Sequence, residues 1–190
     1  RIEGSTFNYG LGVGTAILHA PQFMITKLVA EDVDMEHERF QKALTEMHGA
    51  IDDIFSKSGL VEGGDHWEIL ESYRMIADDS GWFARIDEAI SSGLTAEAAV
   101  QKINNEIRAR MKQAMDPYLR EKIHDLEDLS VRLLIHLKET NSDNLNLFGS
   151  EIISNAESII PVARNMGPAQ LLDYDRSKLA GLVLEEGTST

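Results

Sequence analysis

The sequence predicts a mostly α chain with an α/β part, in which a helical domain is inserted into an α/β domain built from both ends of the chain. Three observations predict it. Short apolar stretches of strand character lie near the two ends, apolar residues recur at helical spacing from about residue 30 to about residue 140, and the pattern after residue 141 runs strand, turn, strand. At 190 residues and 43% hydrophobic, the chain can bury one substantial core or two small ones. The expected division is an α/β part from residues 1–29 and 141–190 and a helical part from residues 30–140.

The first strand is expected between Val13 and Ala20, bounded by Gly-rich sequence and Pro21. From Glu31 to Phe55 the apolar residues Val33, Phe40, Leu44, Met47, Ile51 and Phe55 step by three, four or seven, the stripe of an amphipathic helix. Gly59, Gly63 and Gly64 end it. Asp65, with Glu68 three residues on, forms a capping pattern for the next helix, whose inner face holds Trp67, Leu70 and Tyr73. Asp78-Asp79-Ser80-Gly81 interrupts that helix, and a shorter one follows with Phe83, Ile86 and Ile90 on one face until Gly93. Thr95 is an N-cap for a helix carrying Ala99, Ile103, Ile107 and Met111. Asp116-Pro117 restarts the chain, because proline at the first helical position forfeits no hydrogen bond. The last long helix carries Leu119, Ile123, Leu126, Leu133 and Leu137 and breaks at Asn141-Ser142-Asp143-Asn144. Strands are then expected at Ser158 to Ala163 and Gly181 to Leu184, with a helical turn at Pro168 to Tyr174 between them.

Charge narrows the partners. The chain holds 32 acidic and 18 basic residues, net −14. Glu31 to Asp53 carries eight acidic against two basic, and Glu62 to Glu97 nine against two, so the first helices hold most of the negative charge. Such a surface repels nucleic acid and anionic lipid and attracts basic proteins, although solvated helix faces would show the same excess. No apolar run reaches the length of a membrane span, and the start at Arg1 shows neither initiator Met nor signal pattern, so a cytoplasmic piece of a longer chain is expected. The absence of Cys excludes disulfides and thiolate metal sites. Of the histidines, only His124 completes a Glu-x-x-His pattern, with Glu121, where a di-iron bundle needs two, so no metal site is expected. Gly10, Gly12 and Gly14 do not form the phosphate-binding fingerprint and read as a tight lead into the strand.

Several stretches resemble the N-terminal region of phosphoenolpyruvate-protein phosphotransferase, enzyme I of the phosphotransferase systems. His66 to Asp79 is similar to the family's segment in which a helix ends in a Met-Leu-Leu-x-Asp element. Thr95-Ala96-Glu97-Ala98-Ala99 resembles its "T-A-E-A-A" helix opening, Asp116 to Lys122 its "D-x-Y-L-x-E-R", and Asp128 to Leu134 its "D-x-x-x-R-L-L". Met166-Gly167-Pro168-Ala169 stands where the family has a "T-P-S/A" turn, with Gly167 in place of Thr. Gly181 to Gly187 leads into its "G-G-x-T-S-H" phosphorylation motif, with Thr188 in place of the second glycine. The stretch from Met166 to Asp175 inclines toward the nitrogen-type branch.

The resemblance implies a helical domain that docks a small phosphocarrier, HPr or its nitrogen-system counterpart. It implies a phosphohistidine just past Thr190, so that the fragment itself is inactive, and Mg²⁺ with phosphoenolpyruvate in a separate C-terminal barrel, with a homodimeric full-length protein. Carried over residue by residue, the docking surface falls on Met75, Ile76, Asp79, Trp82 and Lys122. Residues near the phosphorylation site are Gly167, Pro168, Gly187, Thr188, Ser189 and Thr190. The competing expectation is a non-catalytic helical regulatory module that binds a protein partner and transfers no phosphate.

Overall fold

A computed structural model describes residues 4–6, 8–19, 23, 25–57, 65–113, 117–139, 155–164 and 166–186. In chain order its elements are β1 (Thr15–His19), α1 (Val33–Lys57), α2 (Asp65–Ala77), α3 (Ser80–Ser91), α4 (Ala96–Gln113), α5 (Pro117–Glu139), β2 (Ile159–Ala163), α6 (Pro168–Leu172) and β3 (Val183–Leu184). The chain divides into two compact units. One comprises residues 1–21, 146–166 and 174–190, the other residues 22–145 and 167–173.

The helical unit is built on the predicted stripes. Phe40, Met47 and Ile51 of α1, Ile86 and Ile90 of α3, Ala99, Val100 and Ile103 of α4, and Leu126, Leu129, Leu133 and Leu137 of α5 share one buried core. Two turns fix the helix order. At the end of α3, Gly93 N–H donates to Ile90 C=O (2.8 Å) and Leu94 N–H to Ala89 C=O (3.4 Å), the paired bonds that close a helix through a left-handed residue. Gly93 supplies that residue with φ 97°, and Leu94 then tucks against the core. Thr95 caps α4 as expected: its Oγ1 accepts from Ala98 N–H at 3.3 Å and donates to Lys27 C=O at 2.8 Å. Open space surrounds a Cβ built at Gly93, so Gly93→Ala meets only backbone strain. It is expected to lower stability by about 1–2 kcal/mol, read as a shift of the urea midpoint at unchanged slope.

The unit boundaries differ from the sequence expectation in two places. Residues 22–29 go with the helices because Phe23 and Ile25 pack on the helical core and Leu28 C=O accepts from Thr95 N–H at 3.1 Å. Residues 167–173, expected in the α/β part, also go with the helices. Ala169 is buried in their core, and Asp173 receives two hydrogen bonds from Arg132 of α5. A truncation at residue 141 would remove this packing and is not a clean domain cut.

The other unit is a three-stranded parallel sheet in the order β1-β2-β3, with Thr15 opposite Ile159 and Val162 opposite Val183. Ile17 and Ile159 pack with Tyr174 on one face, where His19 Nδ1 lies 2.8 Å from the Tyr174 hydroxyl. Strand β1 begins two residues later than expected, leaving Val13 exposed. The glycine run before it has a steric reason. A Cβ at Gly12 would sit 2.2 Å from Ala180 O, and one at Gly14 2.9 Å from Ser158 O, so both let backbones approach where a side chain could not fit. Among the described residues, no helix is long and apolar enough to cross a membrane.

Candidate functional site

Four of the five predicted docking residues gather at the elbow between α2 and α3. Asp79 makes the elbow: its carboxylate accepts from Gly81 N–H at 2.7 Å and Trp82 N–H at 3.2 Å, capping α3. The Gly81 amide is the one that would have continued α2 by bonding to Ala77 C=O, so the same contact that opens α3 also closes α2. His48 of α1 lies with Nε2 2.8 Å from Ala77 O and takes up the carbonyl left over. Arg74, in the last turn of α2, pairs with Asp52 at 3.1 Å and approaches Asp78 at 3.9 Å, half-exposed contacts that add little to stability.

The elbow sorts the predicted residues by exposure. Met75 stands out with 76% of its surface exposed, Ile76 is partly buried against the core, and Asp79 is exposed. Trp82 differs from its expected role as an exposed docking group. It is 3% exposed, packs in the helical core and stacks on Phe83 with centroids 5.1 Å apart. The reason is phase: Trp82, Ile86, Ala89 and Ile90 form one face of α3, all of it buried. Lys122 lies on α5, where its ammonium pairs with Asp125 at 3.1 Å.

Of the residues predicted near a phosphorylation site, Gly167 is the N-cap of α6 and Pro168 its first residue. Gly167 has ordinary backbone angles (φ −78°, ψ 162°) and open space at its Cβ position, so nothing in the local geometry demands glycine there. Gln170 reaches back to accept from its N–H at 3.0 Å. Gly187, Thr188, Ser189 and Thr190 lie outside the described residues.

Beneath the elbow runs a buried polar network that the sequence does not announce. Tyr73 of α2 hydrogen-bonds to Asp128 of α5, and Arg132 Nε donates to both the Tyr73 hydroxyl and Asp128 Oδ2 at 2.9 Å. Nη1 and Nη2 of Arg132 donate to the two oxygens of Asp173 at 3.1 and 2.7 Å, a bidentate fork. Burial and the Asp128 charge push the Tyr73 hydroxyl far above its ordinary pKa, so it remains a donor. Burial works against the Arg132 charge, yet Asp128 and Asp173 hold its pKa above the ordinary value. Among the described residues, a second arrangement of catalytic appearance is His37, whose Nδ1 lies 2.7 Å from Asp87 and Nε2 3.2 Å from Ser91 Oγ. The neighbouring amides of Ser92, Gly93 and Leu94 are all bonded to helix carbonyls, so these three do not serve as the oxyanion donors that acyl transfer requires.

One chain thus carries a helical unit with an exposed, capped elbow between α2 and α3 and a small unit with a parallel sheet. The family model "PEP-utilising enzyme, N-terminal" matches residues 3–122, and the chain belongs to that family. It is 30% identical over 178 residues to a phosphoenolpyruvate-protein phosphotransferase of Streptomyces coelicolor, covering 94% of this chain and 29% of the relative. A phosphotransferase of the same description from Listeria innocua is 25% identical, with 100% of this chain and 32% of the relative covered. The phosphoryl donor subunit DhaM of a PEP-dependent dihydroxyacetone kinase from Providencia stuartii is 24% identical over 92% of this chain and 35% of its own. The chain thus spans about a third of the length of the curated relatives it matches. In fold it is similar to a solution structure of Enzyme I (TM-score 0.64, 24% identity, 90% of this chain and 68% of that one). It is also similar to a structure described as the N-terminal domain of Enzyme 1, nitrogen (TM-score 0.63, 21% identity, 92% and 69%).

Proposed function

We propose that this chain is the carrier-docking part of a phosphoenolpyruvate-protein phosphotransferase and that its elbow binds a basic, HPr-like phosphocarrier. The observation that supports this best is Met75, a large apolar side chain held exposed beside a capped helix junction where Glu71, Asp78 and Asp79 are exposed as well. An apolar anchor on rigid backbone with a charged rim is the anatomy of a small transient interface. Opposite fields speed the encounter with a basic partner. In this reading Met75 and Ile76 form the apolar centre, Trp82 stiffens it from the core, and Asp79 shapes it. Phosphoenolpyruvate, Mg²⁺ and the phosphorylated histidine are handled elsewhere in a longer protein. The family membership and the likeness to phosphoenolpyruvate-protein phosphotransferases support phosphoenolpyruvate as the phosphoryl donor, and Mg²⁺ and the histidine rest on the resemblance alone.

The test is titration with HPr and with its nitrogen-system counterpart at low and high salt. Met75→Asp is expected to weaken binding by about 1–3 kcal/mol at every salt concentration. Its circular dichroism should match wild type because the side chain is exposed. Glu71→Gln, on the exposed side of α2, should instead flatten the salt dependence. Asp79 is a poor probe of charge, since neutralising it also removes the α3 cap. Failure of folded wild-type protein to bind either carrier would overturn the docking reading, and full-strength binding by Met75→Asp would remove Met75 from it.

A further inference from the structure

The elbow is a break in hydrogen bonding before it is a surface. Asp79 takes the Gly81 N–H at 2.7 Å and the Trp82 N–H at 3.2 Å, so the last carbonyl of α2, that of Ala77, has lost its intrahelical donor. Water could satisfy it, but a side chain from another helix does so instead. His48 belongs to α1, and its Nε2 reaches Ala77 O at 2.8 Å. The ring is itself held: it meets Phe83 edge-to-face, centroids 5.7 Å apart and planes at 70°, and Phe83 belongs to α3. One imidazole therefore bonds to the end of α2 while packing on the start of α3. The flanking residues Met47 and Ile51 are buried in the helical core, so the ring projects from a fixed backbone.

Resting on the docking reading above, we propose that His48 is a positioning residue for the docking elbow: by donating Nε2–H to Ala77 C=O and packing on Phe83, it fixes the angle at which α2 presents Met75. The donor exists in the neutral Nε2–H tautomer and in the imidazolium alike, so the clamp persists through protonation. Asp78 Oδ1 lies 3.7 Å from the same nitrogen. What His48 contributes to binding is preorganisation: without the clamp the last turn of α2 frays, and a carrier must order it on arrival.

Two substitutions separate the hydrogen bond from the packing. In His48→Gln the amide nitrogen lies the same number of bonds from Cα as Nε2, so it can still donate to Ala77 C=O. His48→Phe keeps the ring on Phe83 and has no donor. With HPr or the nitrogen-type carrier as the titrant, whichever wild type binds, His48→Gln is expected to bind within about twofold of wild type. His48→Phe is expected to bind about threefold to tenfold more weakly, the range of one net hydrogen bond. Amide chemical shifts of residues 75–82 should move in the Phe variant and return in the Gln variant. Gly93→Ala supplies the control for general destabilisation, because it strains a turn at the far end of α3; folded Gly93→Ala should bind as wild type does.

Equal binding by His48→Phe and wild type overturns the positioning role and leaves the docking reading standing. So does a Gln variant as weak as the Phe variant. Loss of binding in Gly93→Ala as large as in His48→Phe would assign the effect to stability and overturn it too. If wild type binds neither carrier, the docking reading fails and this inference fails with it.

Discussion

Arg132→Met should lower the folding free energy of the helical unit by about 3–5 kcal/mol, measured by urea unfolding followed at 222 nm. Arg132 sits between Asp128, which is 5% exposed, and the Tyr73 hydroxyl on one side and both oxygens of Asp173 on the other. Methionine keeps much of the apolar stem, so the loss isolates the guanidinium. What remains is a carboxylate in the interior with only the Tyr73 hydroxyl against it, and an uncompensated buried charge is the costly part of a broken pair. The double variant Asp128→Asn, Arg132→Met removes both charges and should therefore recover much of the loss. Tyr73→Phe takes one neutral group from the network and should cost only about 1–2 kcal/mol. Arg132→Lys keeps the charge but not the fork, and should fall between. If Arg132→Met proves as mild as Tyr73→Phe, the network does not carry the charge in a dry interior.

Phe40→Ala should be comparably severe, about 3–5 kcal/mol. Phe40 lies in the third turn of α1, is fully buried, and shares the helical core with Met47, Ile86, Val100 and Leu133. Removing its ring loses the transfer free energy of a large apolar group and leaves a cavity among helices whose backbones are pinned at both turns. The mechanism differs from that of Arg132, so the two can be told apart: Phe40→Leu should restore much of the loss, whereas no apolar residue restores Arg132 unless Asp128 also changes. Leu18→Ala is the contrast. Leu18 is 71% exposed on β1, and its truncation should stay within about 0.5 kcal/mol of wild type.

Helical periodicity made the core of α1, α4 and α5 legible in the sequence, because three-four spacing of apolar residues is local information. The cap at Thr95 and the break at residues 78–81 were legible for the same reason, as was the return to strands after residue 141, whereas the capping of α3 by Asp79 came only with the structure. Trp82 could have been placed as well: its spacing to Ile86 and Ile90 is that of a buried face, and the family resemblance drew it outward. The parallel pairing of β1 with β2, the migration of residues 167–173 to the helices and the bond from His48 to Ala77 could not be read, because each joins residues remote in sequence. Asp128 and Arg132 show the same limit within one helix. Their four-residue spacing announces an ion pair, while its burial depends on Tyr73 and Asp173, which arrive from other elements. At the elbow, the composition showed acidic charge and an exposed break; which apolar residue remains outside was set by tertiary packing.

The pairing of Thr15 with Ile159 carries a consequence for how the protein is made. Strand β1 leaves the ribosome before its partner, which emerges only after α1 to α5 have been synthesised. The helices make mostly local contacts and can assemble while β1 waits unpaired. Closing the long loop between the strands is entropically cheaper once that intervening chain has collapsed, since the loop to be closed is then effectively short. Of the two units, the small sheet should thus acquire its structure after the helices do, and the waiting strand, with Ile17 and Leu18 uncovered, is a segment through which a nascent chain could engage a chaperone or another copy of itself.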